Sequence, residues 1–190
     1  MNLPKNKQLI IFDFDETLCT TQGLVKRINK KTSVEDFLTP GKYSAWRETG
    51  EYDKNPNIWD LDFSDFTGYP EKGSPILDTV SSLRDYLMDD SCIVALVTGR
   101  DELLGPRQWL SAHKLDISNM ILMCSGDPNK RPCFESLINT LLPKSIIIYE
   151  DCPAYISQCE EVSAKYKIPC AGILIGDGNI RWDWKIKKGE

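Results

Sequence analysis

The stretch Gln8-Leu-Ile-Ile-Phe-Asp-Phe-Asp-Glu-Thr-Leu18 governs how the rest of the chain is read. Its first half is an apolar run without polar alternation, the pattern of a strand covered on both faces. Its second half sets Asp13 and Asp15 just past that strand. In an extended chain residues two apart share a face, so both carboxylates point into one site. Two anions crowded in this way need a cation between them, or one must hold a proton. Both outcomes serve chemistry. A hard divalent ion such as Mg²⁺ takes oxygen ligands, and a carboxylic acid beside a carboxylate can act as a general acid.

The same strand-then-polar pattern recurs along the chain. Apolar runs at 91–97, 119–124, 145–149 and 171–175 end at Thr-Gly-Arg, Ser-Gly-Asp, Glu-Asp and Gly-Asp-Gly. Between them, residues 76–88 carry Ile76, Leu77, Val80, Leu83 and Leu87 at helical spacing, with Ser74 as the expected N-cap and Pro75 in the first turn. Residues 103–113, 134–142 and 154–166 are the other expected helices. Alternating strands and helices predict an α/β fold with a doubly wound, mainly parallel sheet. Ligands of such sheets bind outside the carboxyl ends of the strands, where each of these polar clusters falls.

Residues 20–72 break the rhythm and read as an insertion after the first strand. They carry Lys26-Arg27 and Lys30-Lys31 and, from Tyr43 to Tyr69, seven aromatics: Tyr43, Trp46, Tyr52, Trp59, Phe63, Phe66 and Tyr69. A loop this long inside a compact domain is expected to be a lid, a binding loop or a small inserted element. Lys26 and its basic neighbours are candidates to contact a phosphate backbone, and Trp46 or Tyr43 to stack a base. The alternative is a small local core. Glu51, Asp53, Asp60, Asp62, Asp65 and Glu71 make the later part of the insertion acidic.

Composition bounds these readings. The 190 residues are 41% hydrophobic and carry a formal net charge of −5, which suits one domain over residues 1–190 and lacks the basic excess of a strong nucleic-acid binder. A single histidine excludes His-rich metal sites and argues against His-based triads. Seven scattered cysteines with no Cys-x-x-Cys pair exclude a zinc ribbon or a regular disulfide framework. No apolar run reaches the roughly 20 residues of a membrane span, and the N-terminus has no signal-peptide pattern. A cytoplasmic, reducing setting without a membrane partner is the expectation.

Asp13-Phe-Asp-Glu-Thr17 resembles the first motif, DxDxT, of the haloacid dehalogenase superfamily of phosphatases, and three further matches follow in order. Val97-Thr-Gly-Arg100 is similar to the second motif, Lys130 to the third-motif lysine with Arg131 as the competing cation, and Ile148-Tyr-Glu-Asp151 to the fourth-motif acid. The resemblance implies a Rossmann-like sheet with a small cap and a Mg²⁺-dependent phosphoric monoester hydrolase. It implies that Asp13 is the nucleophile, that Asp15 protonates the leaving oxygen, and that Thr98 and Lys130 hold the phosphoryl oxygens. It further implies Mg²⁺ bound by Asp13, Asp151 and the backbone carbonyl of Asp15. Gly99 and Arg100 become substrate-binding candidates beside Arg131, Lys26 and Trp46. Glu150 and Asp151 are adjacent and point opposite ways on a continuing strand, so one of them, Asp151, is the expected ligand. Tyr155 stands near the place where the family often has a further acid. The layout is similar to polynucleotide 3′-phosphatase and RNA-repair-like domains, which implies nucleic-acid or nucleotide phosphate ends as substrate. A metabolite or phosphoprotein phosphatase is the alternative within the family, and a non-catalytic binding module the alternative outside it.

Overall fold

The computed structural model describes residues 6–126, 129–176 and 179–181. The chain opens with β1 (Gln8–Phe12), and β2 (Cys19–Thr20) leads into the insertion. The insertion holds β3 (Val25–Asn29), β4 (Val34–Leu38), α1 (Pro40–Glu48), the single-turn α2 (Glu51–Lys54) and β5 (Trp59–Asp62), and β6 (Ser74–Pro75) leads out of it. There follow α3 (Leu77–Leu87), β7 (Cys92–Thr98), α4 (Leu104–Ala112), β8 (Ile121–Cys124) and α5 (Arg131–Leu141). The chain continues through β9 (Ser145–Glu150), α6 (Pro153–Lys165), β10 (Cys170–Gly176) and β11 (Asn179–Arg181).

The main sheet has the order β11-β10-β9-β1-β7-β8, with β10, β9, β1, β7 and β8 parallel and β11 antiparallel at the edge. Strand alternation sends β1 into two cores at once. Ile10 and Phe12 pack with Val80 and Leu83 of α3 and Trp109 and Leu110 of α4. Leu9 and Ile11 pack with Phe134, Leu137 and Ile138 of α5 and Ile156 and Val162 of α6. The sheet is therefore covered by helices on both faces, which is why its central strands are apolar throughout. After β8 the chain crosses back over β1 to β9, so the carboxyl ends of β1, β7 and β9 flank a topological switch point.

One expected cap is replaced. Ser74 and Pro75 do not start a helix but pair with Thr20 and Cys19. Thr20 Oγ1 bonds both the carbonyl and the amide of Ser74 at 3.2 Å, so the neck of the insertion claims this backbone. Helix α3 starts after Ile76 with no side-chain cap.

Beyond the neck, β4-β3-β5 form a separate antiparallel sheet under α1. Thr39 caps α1, accepting from the Lys42 amide at 3.4 Å. Val25, Leu38, Tyr43 and Trp46 make a local core, with Tyr52, Trp59, Leu61, Phe63 and Phe66 packed against it. This core corrects two expectations. Trp46 is only 8% exposed and is wedged edge-on between Tyr52 and Trp59, so it is no platform for a base. Lys26 pairs with Glu35 at 3.0 Å and Arg27 with Asp36 at 2.7 Å, so these two basic residues are engaged across the β3–β4 hairpin. Among the described residues no helix is long and apolar enough to cross a membrane. The basic, tryptophan-containing segment from residue 182 onward lies outside them.

Candidate active site

Three strand ends and the loop before α5 build one site. Asp13 extends the pairing of β1 by one residue, its amide donating to the Tyr149 carbonyl at 3.0 Å. Its carboxylate Oδ1 accepts from Lys130 Nζ at 2.6 Å, and the same ammonium donates to Glu150 Oε2 at 2.8 Å. Lys130 is 2% exposed and sits immediately before α5, where Gln158 of α6 receives its amide N–H at 2.9 Å. The Tyr155 ring lies 4.6 Å from the ammonium. Backbone and side chain of Lys130 are thus both fixed by α6 and β9.

The adjacent acids do not diverge as a continuous strand would force them to. β9 ends at Glu150, so strict alternation lapses at Asp151. One oxygen each from Asp13, Glu150 and Asp151 lies within 4.8 Å of the others. Burial, with Glu150 next to it and against the pull of Lys130, pushes Asp13 up to about 7. Burial likewise pushes Glu150 up to about 8, and, with the Asp13 charge, Asp151 up to about 7. For Lys130 burial works against the charge, but Asp13 and Glu150 outweigh it and hold the ammonium protonated. Three carboxylates facing one ammonium leave the cluster short of positive charge. An all-oxygen donor set with that deficit fits a hard divalent cation.

Asp15 is engaged differently. Arg100 grips it in bidentate fashion, Nε to Oδ2 at 2.8 Å and Nη2 to Oδ1 at 2.7 Å, and the guanidinium is 5.0 Å from the Phe14 ring centroid. The third nitrogen, Nη1, donates to the Gly68 carbonyl at 2.9 Å, and the Gly68 amide donates to Glu102 Oε1 at 2.7 Å. Asp13, Asp15, Gly99, Arg100, Lys130, Asp151 and Tyr155 line one cleft that opens to solvent. The insertion roofs it with Val25, Pro40, Tyr43, Phe63 and Phe66.

The expected residues divide accordingly. Thr98 is fully buried at the end of β7, its hydroxyl oxygen accepting the Arg100 amide at 3.3 Å, and Gly99 rather than Thr98 reaches the cleft. Of the two competing cations, Lys130 meets Asp13, whereas Arg131 turns outward to Glu161 at 2.6 Å. Lys26 and Trp46 belong to the sheet and core of the insertion and do not line the cleft. The carboxylate of Asp15 is outside the acidic cluster, held by Arg100. The site also holds Glu150, Gln158 and Glu102, which the sequence does not mark as site residues. Glu150 alone left a signal, as an acid at the last position of a buried strand, where a charge needs a partner.

No family model matches the chain, and no curated protein matches it. Two crystal structures of the Legionella pneumophila effector Ceg4 are similar to it in fold. The one with an N-terminal TEV protease cleavage sequence is 21% identical at a TM-score of 0.52, covering 96% of this chain and 93% of its own. The one with an N-terminal yeast Hog1p sequence is 20% identical at 0.51, covering 96% and 92%. The likeness extends to the fold.

Proposed function

We propose that this chain is a Mg²⁺-dependent phosphatase of the haloacid dehalogenase type, hydrolysing a phosphomonoester through an aspartyl-phosphate on Asp13. The observation that carries the reading is the placement of Asp13. It contacts the buried Lys130, lies in a carboxylate cluster with Glu150 and Asp151, and shares its cleft with Asp15.

In the first step an Asp13 oxygen bonds to phosphorus as the ester P–O bond breaks, and the leaving oxygen takes a proton from Asp15. Asp15 enters the step as the carboxylic acid, one oxygen released from Arg100 to carry the proton and the other still held. In the second, Asp15 takes a proton from water as the water oxygen attacks phosphorus. The P–O bond to Asp13 breaks, and phosphate and the free carboxylate result. The Lys130 ammonium, held against Asp13, offsets charge on the transferring group. Asp13 and Asp151, with Glu150 completing the acidic set, would hold Mg²⁺, whose charge draws the phosphate into a site otherwise strongly negative.

The substrate reading follows the roof of the cleft. Its insertion residues are mainly apolar, and the basic residues of β3 are paired with carboxylates. This supports a phosphomonoester whose organic part is apolar where it meets the insertion, over a polyanionic strand. Turnover of para-nitrophenyl phosphate with and without Mg²⁺ tests the reading. The expected result is Mg²⁺-dependent hydrolysis, lost in Asp13→Asn. No turnover with any of several divalent metals leaves a binding module as the function.

A further inference from the structure

Resting on the phosphatase reading, we infer that Arg100 is a positioning residue that ties the insertion to the leaving-group acid, so that Asp15 is aligned only while the insertion is docked. The guanidinium commits all three nitrogens. Nε and Nη2 hold the two oxygens of Asp15, and Nη1 holds the carbonyl of Gly68. Its side chain is 3% exposed and that of Asp15 is 16% exposed. A bidentate pair of this kind fixes the carboxylate plane as well as its distance.

Gly68 is the other end of the tie. It follows Phe63, Phe66 and Thr67, which the insertion contributes to the cleft. Its φ of +71° is a backbone conformation that glycine adopts without strain. Glu102, two residues beyond Arg100, receives its amide, so the loop after β7 grips both polar groups of this one peptide position. The seat is also shaped for it. A Cβ on Gly105, in the first turn of α4, would lie 1.7 Å from the Gly68 carbonyl oxygen. The backbone of the insertion therefore docks where α4 has no side chain, and that docking delivers the carbonyl to Arg100.

A positioned acid matters most when the leaving group is poor. Displacing Arg100 from either partner lets Asp15 rotate away from the leaving oxygen while Asp13 and Lys130 keep their contact. The loss then depends on the leaving group, whereas a residue that binds the phosphoryl group or merely supports the fold affects every ester alike.

The test is kcat/KM for para-nitrophenyl, phenyl and an alkyl phosphate with Mg²⁺, in wild type, Arg100→Lys, Gly105→Ala and Glu102→Ala, with folding checked by thermal melts. Arg100→Lys keeps the charge and loses the bidentate grip. Gly105→Ala drives Gly68 off its seat from outside the cleft. Glu102→Ala, at a half-buried side chain, loosens the same grip without removing a buried cation, so the result does not hang on a core variant folding. The expected outcome is a loss of less than about 5-fold on the nitrophenyl ester and of about 10²-fold on the alkyl ester, the scale of general-acid catalysis. Equal losses on all three esters, or no loss in the folded variants, overturn the inference. A wild type that hydrolyses none of the esters overturns the phosphatase reading itself.

Discussion

Replacing Lys130 by methionine tests the electrostatics of the site independently of any turnover. Lys130 is the ammonium that touches both Asp13 and Glu150, at 2.6 and 2.8 Å, and all three side chains are 6% exposed or less. Methionine keeps the length and apolar stem of the side chain and leaves two buried carboxylates without their cation. Breaking a buried ion pair from one side costs about 3–5 kcal/mol, and for a chain of this size each kcal/mol moves Tm by about 2–4 °C, a fall of roughly 6–20 °C. The loss depends on pH with a defined sign. Asp13 and Glu150 stand at about 7 and 8 in the fold, above their ordinary 3.8 and 4.5. Acids raised on folding contribute stability below their ordinary values and lose it as pH rises through the folded ones. Without Lys130 both rise further, so the variant keeps losing stability above pH 8, while near pH 5 both acids are protonated and the loss shrinks. Thermal melts in EDTA at pH 5 and pH 8 provide the assay, with Lys130→Met/Glu150→Gln expected to recover part of the loss. A fall that is the same at both pH values, or below about 1 kcal/mol at pH 8, refutes a buried pair of this kind.

Mg²⁺ is expected to raise Tm more at pH 8 than at pH 5.5, because the Asp13, Glu150 and Asp151 cluster must shed its protons to bind the ion. Melts with and without Mg²⁺ in wild type and Asp151→Asn check it, and an equal shift at both pH values contradicts it. Arg131→Ala is expected to keep kcat within about 2-fold of wild type, since an exposed pair such as Arg131–Glu161 contributes little, whereas Lys130→Met loses about 10²-fold or more. Trp46→Ala is expected to cost about 3–5 kcal/mol in the core of the insertion. Limited proteolysis then cuts first between residues 20 and 72, and uniform resistance argues against a separate local core.

The order of strand ends was legible in the sequence because each parallel strand is apolar on both faces and stops at a polar cluster. Asp13, the Thr98–Arg100 turn and Asp151 could be placed from that alone. What escaped depends on where a strand stops and on which backbone groups are already taken. Ser74 looked like a helix cap, yet the β2–β6 neck uses its backbone. Glu150 looked like the acid facing away, but β9 ends on it, and Lys130 comes from another loop to meet it. Lys26 and Trp46 looked available for a ligand because their partners, Glu35 and Glu51, matter only once the hairpin and helix of the insertion have formed. The grip on Gly68 has no sequence signature, since a carbonyl is the same at every residue. Only Gly105, a glycine at the start of a helix, hints that another backbone comes close.

In the proposed cycle Asp13 carries the phosphoryl group. The most direct measurement is mass spectrometry of the Asp13-containing peptide after rapid acid quench of the chain turning over para-nitrophenyl phosphate with Mg²⁺. The expected result is one phosphoryl group on Asp13 during turnover, absent once substrate is exhausted, and neither phosphorylation nor hydrolysis in Asp13→Asn. Hydrolysis that proceeds with Asp13 unmodified, and that Asp13→Asn retains in full, contradicts it.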